Sequence, residues 1–280
     1  MNIGIVGLGL IGGSLGLDFR SQGHRVFGIS RKAQTCERAI ALGAADDAST
    51  NLSLMGQAEV IFICTPLSVM EATVLELIPH LQPDTILTDV GSVKGWVVQA
   101  ISPHWHNFVG GHPMAGKSES GIEVAEHNLF AGCPYVFTPT EKTPPAALKA
   151  VEELVQRLDA RIYHCPPDEH DRAVAWISHL PVMVSASLIA ACRGENDTSV
   201  LKLAKALASS GFRDTSRVGG GNPELGVMMA RYNTEALLRS LYAYRDQLDQ
   251  VIDHVKQEDW QSLKALLQQN SDVRPDFVKN

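Results

Sequence analysis

Two stretches of this chain carry residue types at spacings that can do chemistry. Near the N-terminus, Gly7-Leu8-Gly9-Leu10-Ile11-Gly12 directly follows the β-rich run Asn2–Val6 and opens a helical pattern. In that setting Gly7 permits a tight turn, Gly9 lets the backbone approach a pyrophosphate, and Gly12 allows close helix packing, with the helix N-terminus facing the phosphates. The chemistry implied is dinucleotide binding. A carboxylate usually ends the second strand where an unphosphorylated ribose is held, but here that place reads Gly28-Ile29-Ser30-Arg31-Lys32. The Ser30 hydroxyl and Arg31 guanidinium suit a 2′-phosphate, with Lys32 adjacent and Thr35 placed to complete the pocket, so NADP is expected over NAD. Cys64-Thr65-Pro66 and Asp89-Val90-Gly91-Ser92-Val93-Lys94 end two further strands and are expected to line the nicotinamide side. The bland alternatives are that Arg31 and Lys32 are solvated charges and that Pro66 and Asp89 are purely structural. The second stretch is Gly110-Gly111-His112-Pro113-Met114-Ala115-Gly116, where a histidine held among glycines and a proline ends another strand. Such a histidine is positioned, and is not simply packed.

These groups need a scaffold, and the alternation of apolar runs with helical patterns describes one. Asn2–Val6, Arg25–Ile29, Val60–Cys64, Thr85–Thr88, Phe108–Gly110, Tyr135–Thr138 and Arg161–His164 read as strands of a largely parallel sheet. Between the first two, Ile11–Arg20 has helical spacing and is closed by Gly23, making the opening unit βαβ. Leu67–Leu81 is a further helix. After Pro166-Pro167, the segments Asp168–Arg193, Ser199–Ser210, Pro223–His254 and Trp260–Gln269 show helical periodicity with no strand runs between them. The expectation is an α/β protein in which a Rossmann-type doubly wound parallel sheet, residues 1–165, precedes an all-helical domain, residues 166–280. The long apolar stretch Tyr232–Val255 suits a core helix or half of a homodimer interface.

Composition narrows the class. The chain has 280 residues, 45% hydrophobic and 20% charged, which accommodates two packed domains. No apolar run is read as long enough to span a membrane, and the chain passes within two residues of Met1 into a core strand, so a cytoplasmic protein without a signal segment is expected. Five scattered cysteines with no CxxC spacing argue against a disulfide framework. Ten histidines include one close pair, His104 and His106, and no HExxH, so no metal site is expected. A net charge of −7 opposes nucleic-acid or anionic-membrane binding; the expected partner is a small molecule.

Taken together with the Ser118-Glu119-Ser120-Gly121 turn, Ile177-Ser178-His179-Leu180-Pro181 and Gly211-Phe212-Arg213-Asp214-Thr215-Ser216-Arg217, these motifs resemble the prephenate/arogenate dehydrogenase family over nearly the whole chain. The resemblance implies oxidation of a 4-hydroxycyclohexadiene ring: hydride passes from C4 to the nicotinamide, the C1 carboxylate leaves as CO2, and no metal takes part. It implies His112 as the group that takes the C4 hydroxyl proton, a role suited to an imidazole. Ser92 would hold His112 or that hydroxyl. Arg217 is the candidate for the ring carboxylate, His179 for another substrate oxygen, and Arg213 for the side chain or a dimer contact. Many members specialised for prephenate have a second histidine where this chain has Val182 and an acid where Ser118 stands, so side-chain recognition is expected to differ. With NADP indicated, arogenate dehydrogenase is the favoured activity and prephenate dehydrogenase the alternative. No mutase segment or added regulatory domain is expected, so any feedback by tyrosine would act within the active site.

Two other readings compete. A β-hydroxyacid dehydrogenase shares both halves but usually places a lysine on the first long interdomain helix, and Trp176–Ser187 contains none. A non-catalytic NADP-binding sensor would bind cofactor without turnover.

Overall fold

A computed structural model describes residues 1–117 and 119–278. Six strands, β1 (Asn2–Val6), β2 (Arg25–Ile29), β3 (Asp47–Ser49), β4 (Val60–Ile63), β5 (Ile86–Asp89) and β6 (Phe108–Val109), form an all-parallel sheet in the order β3-β2-β1-β4-β5-β6. Helices α1 (Leu10–Ser21), α2 (Ala33–Ala41), α3 (Leu67–Leu77) and α4 (Gly95–Ile101) connect them. Alternation along each strand feeds two cores. Val60 and Phe62 pack with Ile3, Ile5, Leu15 and Phe19 on one face, whereas Ile61 and Ile63 pack with Phe27, Met70, Leu87 and Val97 on the other. Strand order reverses between β1 and β4, and the loops leaving their C-terminal ends meet there, where doubly wound sheets take their ligands.

The expectation of one sheet is corrected at its far end. His112 belongs to a separate strand, β7 (Gly111–Pro113), which pairs antiparallel with β8 (Pro134–Phe137), itself parallel to β9 (Arg161–His164). The chain leaves the first sheet at Gly110, where only glycine fits because a Cβ would lie 2.5 Å from the Thr138 hydroxyl. Helix α5 (Pro145–Gln156) joins β8 to β9. Beyond it come α6 (Pro167–Val174), α7 (Leu180–Arg193), α8 (Thr198–Leu207), α9 (Ser210–Ser216), α10 (Pro223–Tyr232), α11 (Thr234–Lys256) and α12 (Trp260–Phe277). Asn233 separates α10 from α11, where the periodicity suggested one helix.

By packing, residues 1–234 form one compact unit and residues 235–280 another. The second consists of nearly all of α11 together with α12, and both helices expose large apolar side chains, among them Tyr242, Leu248, Trp260 and Phe277. In the first unit, α6 and α7 run on through a π-type stretch, Ala175–His179, into one helical segment, Pro167–Arg193. Pro181 lacks an N–H and crowds the carbonyl four residues back, and the wider π turn immediately before it relieves that conflict. This segment corrects the expectation about apolar runs: by length and composition it is long and apolar enough to cross a bilayer, with a mean hydropathy of 1.7 in its most apolar window. Ala173 to Cys192 contains no Asp, Glu, Lys or Arg, and the interspersed serines and His179 conceal the length of the run.

Candidate active site

The glycine turn is set by steric demand. Gly7 has φ +108°, and a Cβ on it would lie 2.5 Å from the Cys64 carbonyl oxygen; one on Gly12 would lie 2.1 Å from the Gly7 carbonyl. Gly9 differs, because a Cβ there meets no atom of the protein within 4 Å. No packing demand of the described residues requires a glycine there. Helix α1 begins at Leu10 with no side-chain cap and no acid in its first turn, so its leading N–H groups face that open space. These features of Gly7, Leu8, Gly9, Leu10, Ile11 and Gly12 fit the demands of a dinucleotide pyrophosphate.

At the end of β2, Ser30 accepts a hydrogen bond from the Lys32 N–H at 3.3 Å, and Arg31 and Lys32 are exposed with no ion-pair partner among the described residues. Arg31 precedes the first helical residue of α2, Ala33, and half-buried Thr35 lies in its first turn. Cys64, Thr65 and Pro66 form the turn after β4, and Pro66 stands at the N-cap of α3. Burial pushes the Cys64 thiol up, so it is no thiolate nucleophile at neutral pH.

Asp89 and Lys94, completely buried, form an ion pair. Removing both charges from water is costly, and further bonds offset it. Asp89 accepts N–H bonds from Gly91 at 2.7 Å and Gly111 at 3.1 Å, while Lys94 Nζ donates to the Gly111 carbonyl at 2.7 Å. Burial pulls the Lys94 pKa down and Asp89 opposes it. The Asp89 carboxylate, read as a cofactor contact, is occupied inside the protein. With Lys94 it clamps the residue before His112 to the end of β5.

His112 is nearly buried, and its Nδ1 lies 2.8 Å from His170 Nε2. His170 Nδ1 in turn lies 2.8 Å from Asp171 Oδ1. Asp171 also accepts the Lys94 N–H at 2.7 Å and the Gly95 N–H at 2.8 Å, which ties α6 to α4. Pro167 at the first turn of α6, followed by Asp168 and Glu169, starts that helix and sets His170 and Asp171 on its buried side. Burial first, then the repulsion that a protonated ring would meet from the charged forms of His170, Lys94 and His179, drives the His112 pKa well below its ordinary value, so the ring is neutral near pH 7.

His179, fully buried at the end of the π stretch, completes the cluster. Asn233 Nδ2 donates to the Asp171 carbonyl at 2.8 Å, which fixes the amide's orientation, and lies 3.2 Å from His179 Nδ1. Nδ1 is therefore the acceptor and the neutral ring carries its proton on Nε2, a nitrogen with no partner among the described residues. Burial lowers the His179 pKa to about 4. A buried N–H with nothing to donate to marks a place for a ligand oxygen.

The remaining sequence-derived candidates are less gathered. Ser92 is half-buried, and no hydrogen bond joins it to His112 among the described residues. Arg217 is exposed and unpaired among the described residues, just after α9; Gly219, two residues on, donates to Ser185 Oγ at 2.8 Å and anchors that turn on α7. Arg213 pairs with neighbouring Asp214 at 3.0 Å. Ser118 lies outside the described residues. Sequence reasoning missed His170, Asp171 and Asn233 and assigned Lys94 no role. The one available signal was a His-Asp pair in a run otherwise readable as helix-start acids.

A family model described as prephenate dehydrogenase, nucleotide-binding domain, matches residues 15–164, and one described as prephenate dehydrogenase, dimerization domain, matches residues 166–269. The chain belongs to the prephenate dehydrogenase family. It is an NAD(P)-dependent oxidoreductase; the glycine turn precedes the first matched residue. The enzyme is 32% identical to the prephenate dehydrogenase of Bacillus subtilis over 278 residues, 96% of this chain and 74% of the relative. It is 54% identical to the crystal structure of Synechocystis arogenate dehydrogenase, covering 99% of this chain and 100% of that one, with a TM-score of 0.88. A crystal structure of Aquifex aeolicus prephenate dehydrogenase in complex with hydroxyphenyl propionate and NAD+ is 25% identical, covering 99% and 98%, with a TM-score of 0.93.

Proposed function

We propose that this enzyme converts L-arogenate to L-tyrosine and CO2 with NADP+ as oxidant, as a cytoplasmic homodimer. The observation that carries the reading is the buried, neutral His112, tied through Gly111 to Asp89 at the C-terminal end of β5, which supports a base role for it. When bound, NADP+ supplies the acceptor for the hydride that leaves ring C4. His112 takes the C4 hydroxyl proton as that carbon gains carbonyl character, then returns it to the phenolate oxygen once the C1–carboxylate electron pair has entered the ring. In this reading half-buried Ser92 holds the hydroxyl. His179 Nε2–H donates to a substrate oxygen, and Arg217 offers an unpaired guanidinium to the ring carboxylate.

Support for NADP comes from Ser30, Arg31, Lys32 and Thr35, where a carboxylate would repel a 2′-phosphate. Support for arogenate comes from the likeness to the Synechocystis arogenate dehydrogenase and from Val182, where prephenate-specialised relatives carry a histidine. We divide the enzyme at 165/166 and assign dimerisation to the helical half, where Ile177, Leu203, Leu207 and Val227 are more than half exposed. A second copy, and not a bilayer, is the cover we assign to the apolar segment Pro167–Arg193, because buried His170, Asp171 and His179 occupy its first half. The deciding assay is initial rates with arogenate and prephenate, each with NAD+ and NADP+. Arogenate with NADP+ is expected to give the highest kcat/KM. A higher value with prephenate would transfer the assignment to the keto acid, and reduction of neither cofactor with either substrate would overturn it.

A further inference from the structure

The three groups His112, His170 and Asp171 determine one another's protons. Asp171 accepts two backbone N–H bonds, from Lys94 and Gly95, as well as facing His170, so it is a carboxylate with no proton to give. His170 Nδ1 must therefore be the donor to Asp171. In a neutral ring this leaves His170 Nε2 as a lone pair, and the 2.8 Å contact is then a bond donated by His112 Nδ1–H. The consequence falls on the other side of the His112 ring, where Nε2 is left unprotonated.

We infer that His170 is a positioning residue that holds His112 with its lone pair on Nε2, and that Asp171, acting through His170, stabilises the imidazolium formed when His112 takes the substrate proton. The inference rests on the base role proposed for His112. In the step, a proton passes from the C4 hydroxyl to His112 Nε2 while the C4–H bond breaks with its electron pair leaving as hydride. His112 Nδ1–H then tightens on His170, and His170 Nδ1–H on Asp171. The other charged or titratable groups facing the pair are Lys94, neutralised by Asp89, and His179, which carries its proton away from Asn233. None of them offers His112 Nδ1 a competing acceptor among the described residues.

The test is ¹⁵N NMR of the histidines in the NADP-bound enzyme, with kinetics on His170→Ala and His170→Gln. The wild type should show His112 protonated on Nδ1. His170→Ala should lose that preference and lower kcat roughly 10–100-fold, with cofactor affinity unchanged. The Gln amide oxygen can occupy the Nε2 position and accept the same bond, so His170→Gln should restore the tautomer and part of kcat. Its link to Asp171 is broken, so the acid limb of its kcat/KM profile should move about one unit lower. Wild-type His112 protonated on Nε2, or a His170→Ala enzyme with unaltered spectrum, kcat and pH profile, would overturn the inference. If His170→Ala fails to fold, the wild-type spectrum and His170→Gln still decide. If neither cyclohexadiene is turned over, the proposed activity falls while the spectra continue to judge the relay.

Discussion

The turn from Gly7 to Gly12 and the cluster around His112 are built in opposite ways. The first is made of consecutive residues whose contribution is the absence of side chains and the exposure of backbone N–H groups. The second draws Asp89, Lys94, His112, His170, Asp171, His179 and Asn233 from separate elements, joined by side-chain hydrogen bonds across sequence separations of up to 77 residues. A backbone cradle tolerates exchange of the residues between its glycines. A side-chain network of buried charges and neutral imidazoles does not, because each member leaves a partner unsatisfied when it is removed.

The sharpest way to break this contrast is His112→Asn. It should lower kcat by roughly 10²–10⁴-fold with cofactor affinity retained, read by steady-state kinetics and a binding titration. Wild-type turnover would dissolve the distinction between a binding turn and a catalytic cluster. Next in size is Arg217→Ala, for which a loss of about 2–5 kcal/mol in substrate binding is expected, appearing as raised KM and leaving NADP+ binding unchanged.

Within the turn, the glycines should separate. Gly12→Ala puts a methyl 2.1 Å from a backbone oxygen and should cost about 1–3 kcal/mol of stability by the usual scale of overpacking. Gly9→Ala has no clash inside the protein and should melt like the wild type while its cofactor affinity collapses. Thermal melts with and without NADP+ check the pair, and an equal loss of stability in both would remove Gly9 from the ligand side.

The cluster should also announce itself in the pH dependence of stability. His179 titrates near 6.5 when unfolded and at about 4 when folded, so folding favours its neutral form. Its contribution is fully present above about pH 6.5 and is lost as pH falls toward 4, a change of order 3 kcal/mol. Urea titrations from pH 7 to 4 should show that slope, and His179→Gln should flatten it; an unchanged slope would mean the ring is solvated.

The same contrast explains what could be read from sequence. The glycine turn, the strands beside it and helix α1 were legible because their signals are local: alternation, spacing, and Gly23 closing the helix with φ +84°. His112 was legible because glycines and a proline surround it. His170 was not, since its meaning depends on a ring 58 residues away, and next to Asp168 and Glu169 it looked like part of a helix start. Lys94 stood in a quoted motif, yet nothing local distinguishes a lysine that will be wholly buried from a solvated one. Strand β3 is only Asp47-Ala48-Ser49, too short and polar to show a period. The separate small sheet depends on β7 pairing with β8 more than twenty residues later, a non-local choice that the glycines around 110 do not announce.

The smallest effect concerns the edge of the cradle, where side chains re-enter the cofactor site. Arg31 is exposed and has no ion pair among the described residues, so Arg31→Ala should leave stability and kcat with arogenate essentially unchanged. On the proposed NADP reading it removes a charge-assisted hydrogen bond to the 2′-phosphate, worth about 1.5–3 kcal/mol, or roughly 10–100-fold in NADP+ affinity. NAD+ has no such phosphate, and its affinity should stay constant. The ratio of kcat/KM for the two cofactors is therefore the measurement, with Lys32→Ala as a companion expected to act less, since an ammonium cannot grip the phosphate through two parallel bonds. Equal losses for NAD+ and NADP+ would mean that Arg31 supports the fold of the β2–α2 turn and reads no phosphate.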